Sequence, residues 1–397
     1  MKPLLLSHYT ASTCLGAGLP AMRDALESGR SGLTPCDFET ARLDTWIGTV
    51  PGVDAIRLPE TLARHDCRNN RLALLGLRAD GFEAHVRAAI GRYGKRRVAL
   101  LLGTSTSGIL ETEIAYRQRD PVSGALPPGY RYATTHNSYS VAGFVREYFG
   151  LEGPAVVVST ACSSSAKVFA AAARMMACGV VDCALVGGVD SLCLTTLYGF
   201  RSLELTSPQP CQPFDAERRG ISIGEGAAFA LLEPCPANLD ADAVLLLGAG
   251  ESSDAYHMSA PHPEGLGARM AMEAALLDAG LCAADIDYIN LHGTATPSND
   301  AAEGKAVAAL FGNHVPASST KGATGHTLGA AGAVEAVACA LALRHDLLPG
   351  GAGTRHPDPM IPIDYLTASR PGTVRRALSN SFGFGGSNCS LVLGRPS

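Results

Sequence analysis

The chain has 397 residues, more than one ordinary domain of about 100 to 200 residues, which favours two domains or one duplicated α/β unit. Its formal net charge is −5 and it contains no basic tract, which excludes a surface built to bind nucleic acid. Only 17% of the residues are charged and 44 are glycine, so we expect much of the chain to be buried.

The N-terminal segment MKPLLLSHYT has one lysine and a run of only three leucines, which is too short for the apolar part of a signal peptide. No uncharged apolar run reaches the about 18 residues that a membrane span needs. The twelve cysteines form no CxxC pair of the kind that binds zinc. We therefore predict a cytoplasmic protein whose thiols, apart from Cys162, belong to the core.

Short apolar runs rich in Val, Leu and Ile alternate with Ala-rich segments that are long enough for helices. These runs begin at Val98, Ala155, Cys183, Ala243 and Tyr288. Strands that are apolar on both faces form a largely parallel sheet covered by helices. The sequence therefore predicts a layered α/β architecture.

The segment 163–177 has few polar residues after its opening serines, which predicts a buried helix that begins next to Cys162. A thiol at a helix N-terminus faces unpaired backbone N–H groups and the positive end of the helix dipole, and both favour thiolate. Cys162 is therefore a candidate nucleophile. The alternative is a packed core cysteine, because free cysteine is among the most buried residue types.

The segment 319–350 repeats this order of an extended stretch, a polar hinge and an Ala-rich helix, and its hinge carries His326. We interpret the repeat as an internal duplication with halves at 1–240 and 241–397, joined by a Pro- and Asp-containing connection. Residues 117–132 are predicted to form an exposed loop.

Two histidines lie at junctions that resemble that of Cys162. His292 follows an apolar strand and precedes a Gly-Thr turn, whereas His326 follows Lys321 by five residues and precedes Glu335 by nine. Similar positions on neighbouring strands indicate one convergent site. A zinc site is disfavoured because the histidines that would form it lack compact spacing: His257, His262, His292 and His326.

Four motifs occur in the order TACSSS, HGTATPSNDAAE, KGATGHTLGAAGAVE and NSFGFGGSN. Together with PFDAERRGISIGEGAA and SSDAYHMSAPHPEG, they resemble the active-site motifs of the β-ketoacyl-acyl carrier protein synthases, the elongating condensing enzymes of the thiolase fold. The resemblance spans nearly the whole chain. It implies duplicated α/β halves in an α-β-α-β-α layered architecture, and it implies the acyltransferase activity of a 3-oxoacyl-[acyl-carrier-protein] synthase.

The resemblance implies a Cys-His-His site. Cys162 would accept an acyl group from a carrier-protein thioester. His292 and His326 would hold the thioester carbonyl of a malonyl extender and stabilise the enolate that forms when CO₂ leaves. Lys321 would organise the histidines, with Glu335 in its network. The alternative for this last pair is a buried salt bridge that only holds the loop.

The same resemblance assigns the neighbouring groups of the site. The backbone N–H groups of Cys162 and Phe384 would form the oxyanion hole, and Phe384 would also gate the acyl pocket. Thr294 and Thr296 would hydrogen-bond the phosphopantetheine arm, the alternative being a turn-stabilising role. The carboxylates of the adjacent helix, Asp300 and Glu303, are expected to secure the loop.

Three positions bear on the acyl chain that the site accepts. Thr106 occupies the position that closes or opens the acyl pocket in the elongating enzymes. Arg219 and Ile221 stand where family members commonly have an aspartate and an aromatic residue. Ile221 is expected to line the pocket together with Thr106 and Phe384. Chain length and unsaturation are therefore not predicted.

The expected partner is an acyl carrier protein, loaded with acyl or malonyl groups, which brings the phosphopantetheine. No metal or redox cofactor is expected. Because carrier proteins are acidic, the basic residues Arg64, Arg68 and Arg71 could form a docking patch, the alternative being a solvated helix face. The resemblance also implies dimers formed through the central sheet, either of two identical chains or with a related chain-length subunit.

Three other functions compete with housekeeping fatty acid synthesis. The chain could be the catalytic subunit of a heterodimeric polyene or polyketide system, and nothing in the sequence excludes this. A degradative thiolase would use a second cysteine as its acid and base, which the Lys-x4-His spacing and the second histidine disfavour. A noncatalytic chain-length partner would lack the nucleophile, whereas this chain retains Cys162.

Overall fold

The computed structural model describes residues 1–396. The α-helices are α1 (Leu19–Ser28), α2 (Arg68–Arg78), α3 (Phe82–Tyr93), α4 (Ile109–Arg117), α5 (Ser140–Phe149), α6 (Ser164–Ala177), α7 (Leu194–Ser202), α8 (Leu266–Ala279), α9 (Pro297–Phe311), α10 (Lys321–Thr324) and α11 (Ala331–His345). The strands are β1 (Leu4–Thr13), β2 (Gly16–Ala17), β3 (Thr34–Pro35), β4 (Trp46–Gly48), β5 (Val98–Gly103), β6 (Ala155–Val158), β7 (Cys183–Asp190), β8 (Ile223–Gly224), β9 (Gly226–Pro234), β10 (Leu245–Ser253), β11 (Tyr288–Asn290), β12 (Pro316–Ser318), β13 (Leu347–Leu348), β14 (Asp364–Tyr365), β15 (Arg370–Pro371), β16 (Arg376–Gly383) and β17 (Ser387–Gly394).

The predicted strands and the exposed loop are found where the sequence places them. The apolar runs at Val98, Ala155, Cys183 and Tyr288 are β5, β6, β7 and β11, and the run at Ala243 forms β10 from Leu245. α6 spans the predicted buried helix. After α4, the chain runs largely exposed and without helix or strand to residue 131.

The main sheet consists of two halves with the same strand order. The N-terminal half runs β6-β5-β7-β9-β1 and the C-terminal half runs β12-β11-β16-β17-β10, with β14 added at the edge. Parallel and antiparallel pairings also match, because the first three strands of each half are parallel and the rest antiparallel. The expected duplication is therefore present in the topology. The predicted boundary at 240/241 lies in the connection between β9 and β10.

Alternation along the strands builds five layers. In β5, Leu101 packs in the central core with α6 and α11, whereas Leu100 and Leu102 pack against α2, α3 and α5 on the outer face. In the C-terminal half, β11 and β16 likewise lie between α11 and the outer helices α8 and α9. The result is the α-β-α-β-α layering that the sequence resemblance implied.

The middle layer contains the segment Leu328–His345, which has the length and composition of a membrane span but is 89% buried within the protein. This segment is the core helix of the fold. Glycines let α6 and α11 approach their neighbours closely. A Cβ at Gly103 would lie 2.4 Å from the backbone nitrogen of Ser165, and one at Gly332 would lie 2.6 Å from that of Ala166.

Candidate active site

Cys162 lies in a sharp turn between β6 and α6, two residues before the helix begins. Ala161 adopts a left-handed conformation with φ of 52°, which is uncommon for a residue with a Cβ. The hydroxyls of Ser105 and Ser164 donate hydrogen bonds to the carbonyl oxygen of Ala161 and hold the turn. The turn directs the Cys162 thiol into the protein, where its side chain is buried.

The structure brings both predicted histidines to this thiol. His326 Nε2 lies 2.9 Å from Cys162 Sγ. The His292 and His326 rings are perpendicular, with centroids 5.3 Å apart. His292 follows β11, and His326 follows α10 and Gly325, whose φ is +70°. The groups converge because β6, which precedes Cys162, and β12, which precedes His326, occupy corresponding positions in the two halves, and β11, which precedes His292, is next to β12.

Lys321 joins the histidines to Glu335. Its ammonium group donates to the carbonyl oxygen of His292 and to a carboxylate oxygen of Glu335, and it lies 3.4 Å from His292 Nδ1. An ammonium group has only donors, so Nδ1 of His292 accepts and the ring hydrogen is on Nε2. Burial raises the pKa of Glu335 to about 7, although the positive charge of Lys321 opposes this.

Cys162 is not the thiolate that its position before α6 favours. Burial raises the pKa of the Cys162 thiol to about 12, and the positive charge of Lys321 only partly lowers it. Burial and the same charge hold the pKa values of His292 and His326 well below 6.5. The resting site therefore contains a thiol beside two neutral imidazoles, because the cost of desolvation exceeds the effect of the helix terminus.

Two buried carboxylates fix the loop that carries His292. Glu303 accepts hydrogen bonds from the backbone N–H groups of His292 and Gly293, at 2.7 and 2.8 Å. Asp300 accepts from Thr294 N–H at 3.0 Å and from Phe214 N–H at 2.8 Å. These contacts give Asp300 and Glu303 the loop-securing role expected of them.

The Gly-rich turn between β16 and β17 closes over the cysteine. A Cβ at Gly383 would lie 2.8 Å from the carbonyl oxygen of Thr160 and 3.3 Å from the nitrogen of Cys162. The backbone N–H of Phe384 faces the Cys162 thiol and slightly offsets the rise in its pKa that burial causes. The Phe384 ring is partly exposed and packs 5.7 Å from the ring of Phe200.

The Cys162 thiol, the two histidines and the Gly-rich turn line one cleft. Among the predicted residues, those that line it are Cys162, Ile221, His292, Thr294, Thr296, His326 and Phe384. Thr294 and Thr296 hydroxyls are 2.9 Å apart, and Thr296 also caps α9. The cleft is therefore apolar near Phe384 and carries hydroxyls beside Thr294.

Thr106 does not line this cleft, contrary to the predicted role in the acyl pocket. Its side chain is buried, and its hydroxyl donates to Asp190 at 2.9 Å and accepts from the Ser191 N–H at 3.2 Å. Within a single copy of the chain, Thr106 therefore supports a neighbouring loop. Thr106 belongs to the loop that contacts the turn of Cys162, but the sequence could not show that its side chain points towards Asp190 instead of the cleft.

The predicted docking patch is wrong for Arg68. Its guanidinium is buried and forms a bidentate pair with Glu225 at 2.9 and 2.6 Å, because α2 turns that side chain into the protein. Arg64 pairs with Glu147, and Arg71 pairs with Asp66 at 2.6 Å. Arg64 and Arg71 remain partly exposed and stay predicted docking residues.

Two further buried carboxylates, Asp190 and Glu225, support the site and were not predicted from the sequence. Asp190 ends β7 and accepts hydrogen bonds from the loop after β5, and Glu225 accepts backbone bonds from Val50 and Leu192. The sequence signal available for Asp190 was an aspartate at the end of a strand that is otherwise apolar. Nothing near Glu225 in the sequence indicates its contact with Arg68.

The site also has the ligand types of a metal site. Donor atoms of Cys162, His292 and His326 all lie within 4.8 Å of one another. His257 and His262, the other members of the zinc hypothesis, lie together in the loop after β10 and are outside this group. The absence of a metal requirement stays a prediction.

The sequence matches two halves of one family: the beta-ketoacyl synthase N-terminal domain over residues 82–237 and the beta-ketoacyl synthase C-terminal domain over residues 243–354. The chain belongs to the beta-ketoacyl synthase family. It is therefore a condensing enzyme of the acyltransferase class, as the motifs implied.

Relatives across the beta-ketoacyl synthase family match almost the whole chain. Nodulation protein E of Rhizobium sp. (strain N33) is 34% identical over 95% of both chains, and 3-oxoacyl-[acyl-carrier-protein] synthase 2 of Vibrio cholerae is 32% identical over 94% of both. Among solved structures, the ketosynthase ApeO in complex with its chain length factor ApeC, from Xenorhabdus doucetiae, is 40% identical. It has a TM-score of 0.90 and covers 100% of this chain and 98% of its own. A beta-ketoacyl synthase from Burkholderia phymatum is 28% identical, with a TM-score of 0.87 over the whole of both chains.

Proposed function

We propose that this protein joins an acyl chain held on Cys162 to the malonyl group of an acyl carrier protein, with loss of CO₂ and extension by two carbons. The observation that carries this proposal is the contact of 2.9 Å between Cys162 Sγ and His326 Nε2, with His292 beside it in an open cleft. Such a site suits acyl transfer followed by carbanion chemistry.

In acyl transfer, Cys162 begins as a thiol because its pKa is about 12. His326 is neutral, and its Nε2–H donates to Sγ and stabilises the negative charge that the sulfur gains as its proton passes to water and Sγ attacks the thioester carbonyl of the acyl carrier. The backbone N–H groups of Phe384 and Cys162 stabilise the negative oxygen of the tetrahedral intermediate. The C–S bond to the carrier then breaks, and the carrier sulfur leaves after taking a proton from water, so His326 keeps its Nε2–H.

In condensation, the malonyl thioester oxygen lies against the Nε2–H groups of His292 and His326. When CO₂ leaves, the electrons of the broken C–C bond form an enolate, and these two donors stabilise its oxygen. The enolate carbon attacks the carbonyl of the Cys162 thioester, the C–S bond to Cys162 breaks, and the cysteine sulfur takes a proton from water to become a thiol again. Lys321 supports this step because it holds His292 in the tautomer with hydrogen on Nε2.

The carrier protein supplies the phosphopantetheine, and Thr294 and Thr296 in the cleft provide hydroxyls for that arm. No metal or redox group takes part in either step.

Arg219 adds to the proposed docking surface of Arg64 and Arg71. Arg219 is exposed and directly precedes Gly220. The Gly220 N–H donates a hydrogen bond to the carbonyl oxygen of Ala295, which lies between Thr294 and Thr296. An acidic carrier would meet this cation at the edge of the cleft.

A second candidate function is that of the catalytic subunit in a pair with a chain-length subunit, in polyene or polyketide rather than fatty acid synthesis. The 40% identity to a ketosynthase solved with its chain length factor favours this assignment. The strand β6 at the end of the sheet is apolar and half-buried, which suits pairing with a second chain, identical or related. We place either assembly in the cytoplasm.

The test is a panel of acyl carrier thioesters of varied length with malonyl carrier protein, with CO₂ release and elongated product measured separately. We expect condensation, and we expect His292→Ala and His326→Ala to lower malonyl decarboxylation more than acylation of the enzyme. The matched control is His314→Ala, which replaces an exposed histidine. Decarboxylation at the wild-type rate in both site variants would contradict the histidine roles.

The two assemblies are distinguished by mass in solution. The purified chain is measured alone and after co-expression with a sibling chain that lacks the cysteine. A stable pair that condenses faster than the chain alone favours the heterodimeric function. An active homodimer that does not bind the sibling chain favours the homodimeric assembly.

A further inference from the structure

Asp190 has a role that the motifs do not assign. It is the last residue of β7, its side chain is fully buried, and its Oδ1 accepts four hydrogen bonds from the loop after β5. The donors are the Thr104 hydroxyl at 2.6 Å, the Ser105 N–H at 2.8 Å, and the Thr106 N–H and hydroxyl at 2.9 Å each. One carboxylate oxygen therefore fixes the whole loop.

The other oxygen reaches the segment that carries His326. Asp190 Oδ2 accepts the N–H of Gly329 at 2.5 Å, three residues after His326. Leu328, between them, is left-handed with φ of 51°. A Cβ at Gly329 would lie 2.7 Å from Ser105 N and 2.8 Å from Asp190 Oδ2, so this turn rests directly on the clamped loop.

The same loop reaches the turn that carries Cys162. The Ser105 hydroxyl donates to the carbonyl oxygen of Ala161 at 3.2 Å, and Ala161 directly precedes Cys162. Both Ala161 and Leu328 have left-handed backbones, which are unfavourable for residues with a Cβ and persist only when surrounding contacts hold them. Asp190 thus connects two strained turns, one beside each member of the pair Cys162 and His326.

We propose that Asp190 is a positioning residue that sets the separation and angle of Cys162 and His326. The proposal rests on the roles given above to these two side chains. Asp190 does not touch the substrate, so its effect falls on the turnover step more than on carrier binding. Burial raises the pKa of Asp190, and the hydrogen bonds from Thr104, Thr106 and Ser105 oppose that rise. The negative charge of Asp190 in turn raises the pKa of Cys162.

The test is Asp190→Asn, which keeps the shape but cannot accept at both terminal atoms. Its amide must direct a donor toward either Gly329 N–H or the Thr104–Thr106 loop. We expect kcat for condensation to fall about 10- to 100-fold with KM for the acyl carrier little changed, as misplaced reacting groups produce. The matched control is Asp287→Asn. Asp287 accepts backbone bonds from Arg375 and Arg376 at 2.8 and 2.9 Å, before β11 and away from His292.

A second readout separates positioning from simple loss of stability. Iodoacetamide labelling of Cys162 should reach a given rate at lower pH in Asp190→Asn, because the negative charge that opposes the thiolate is gone. A folded Asp190→Asn enzyme with wild-type kcat and labelling profile would overturn the proposal.

If Asp190→Asn does not fold, Ser105→Ala decides, since it removes only the bond to the Ala161 carbonyl. A lower kcat with unchanged KM supports the clamp, and wild-type kcat overturns it. If the wild-type enzyme itself takes no acyl group, the proposed function fails instead, and the two failures are distinguishable.

Discussion

The buried ion pair of Lys321 and Glu335 gives a quantitative test of whether this lysine serves the fold or the chemistry. Their side chains are 1% and 2% exposed, and the ammonium group contacts both the Glu335 carboxylate and His292. Lys321→Met or Glu335→Leu alone leaves an uncompensated charge in the core. We expect each to lower the free energy of unfolding by about 3–5 kcal/mol.

The double variant Lys321→Met/Glu335→Leu removes both charges and fills the space with apolar atoms. We expect its free energy of unfolding to lie within about 1 kcal/mol of the wild type, because well-packed apolar groups replace buried ion pairs at little cost. Urea unfolding followed by circular dichroism measures all four proteins. If the double variant loses the sum of the two single losses, the pairing does not carry the stability and the reasoning is wrong.

The same double variant tests the chemical role, because we expect it to fold while it has no donor at His292 Nδ1. We expect acylation of Cys162 to continue, and malonyl decarboxylation to fall by at least about tenfold as His292 loses its fixed tautomer. Decarboxylation at the wild-type rate would leave Lys321 with a structural role only.

Three further predictions concern protons and metals. The rate of Cys162 alkylation by iodoacetamide should rise about tenfold per pH unit between pH 7 and 9, because only the thiolate reacts and the pKa of this thiol is about 12. A rate that reaches a plateau below pH 8 would contradict the thiol resting state. Malonyl decarboxylation should be constant from pH 8 down to 6.5, since the pKa values of His292 and His326 lie well below 6.5 and both stay neutral; loss of activity with a midpoint near 6.5 would show that one histidine titrates normally. Treatment with 1,10-phenanthroline should leave condensation unchanged, whereas inactivation that zinc reverses would assign Cys162, His292 and His326 to a metal.

Local sequence predicted the elements that carry the site because their signals are local. Apolar runs on both faces indicated β5, β6 and β7, and the hinges before α6 and α11 indicated where reactive side chains would emerge. The repeat of strand, hinge and helix also indicated the duplication, which the matching strand order displays.

The rest depends on contacts between distant segments. Arg68 pairs with Glu225, which is 157 positions away in the sequence. One member of the basic helix face is therefore part of a buried ion pair. Asp190 meets Gly329 across 139 positions. The protonation of Cys162 likewise follows from how deeply the completed fold buries it, which outweighs its position before α6.

The central claim is that the Cys162 sulfur carries the growing chain. The enzyme is incubated with an acyl carrier thioester, its intact mass is measured, and the modified peptide is sequenced. We expect one acyl adduct, located on Cys162, and no adduct on a folded Cys162→Ala variant. An adduct of equal amount on that variant, or one mapped to another residue, would contradict the account.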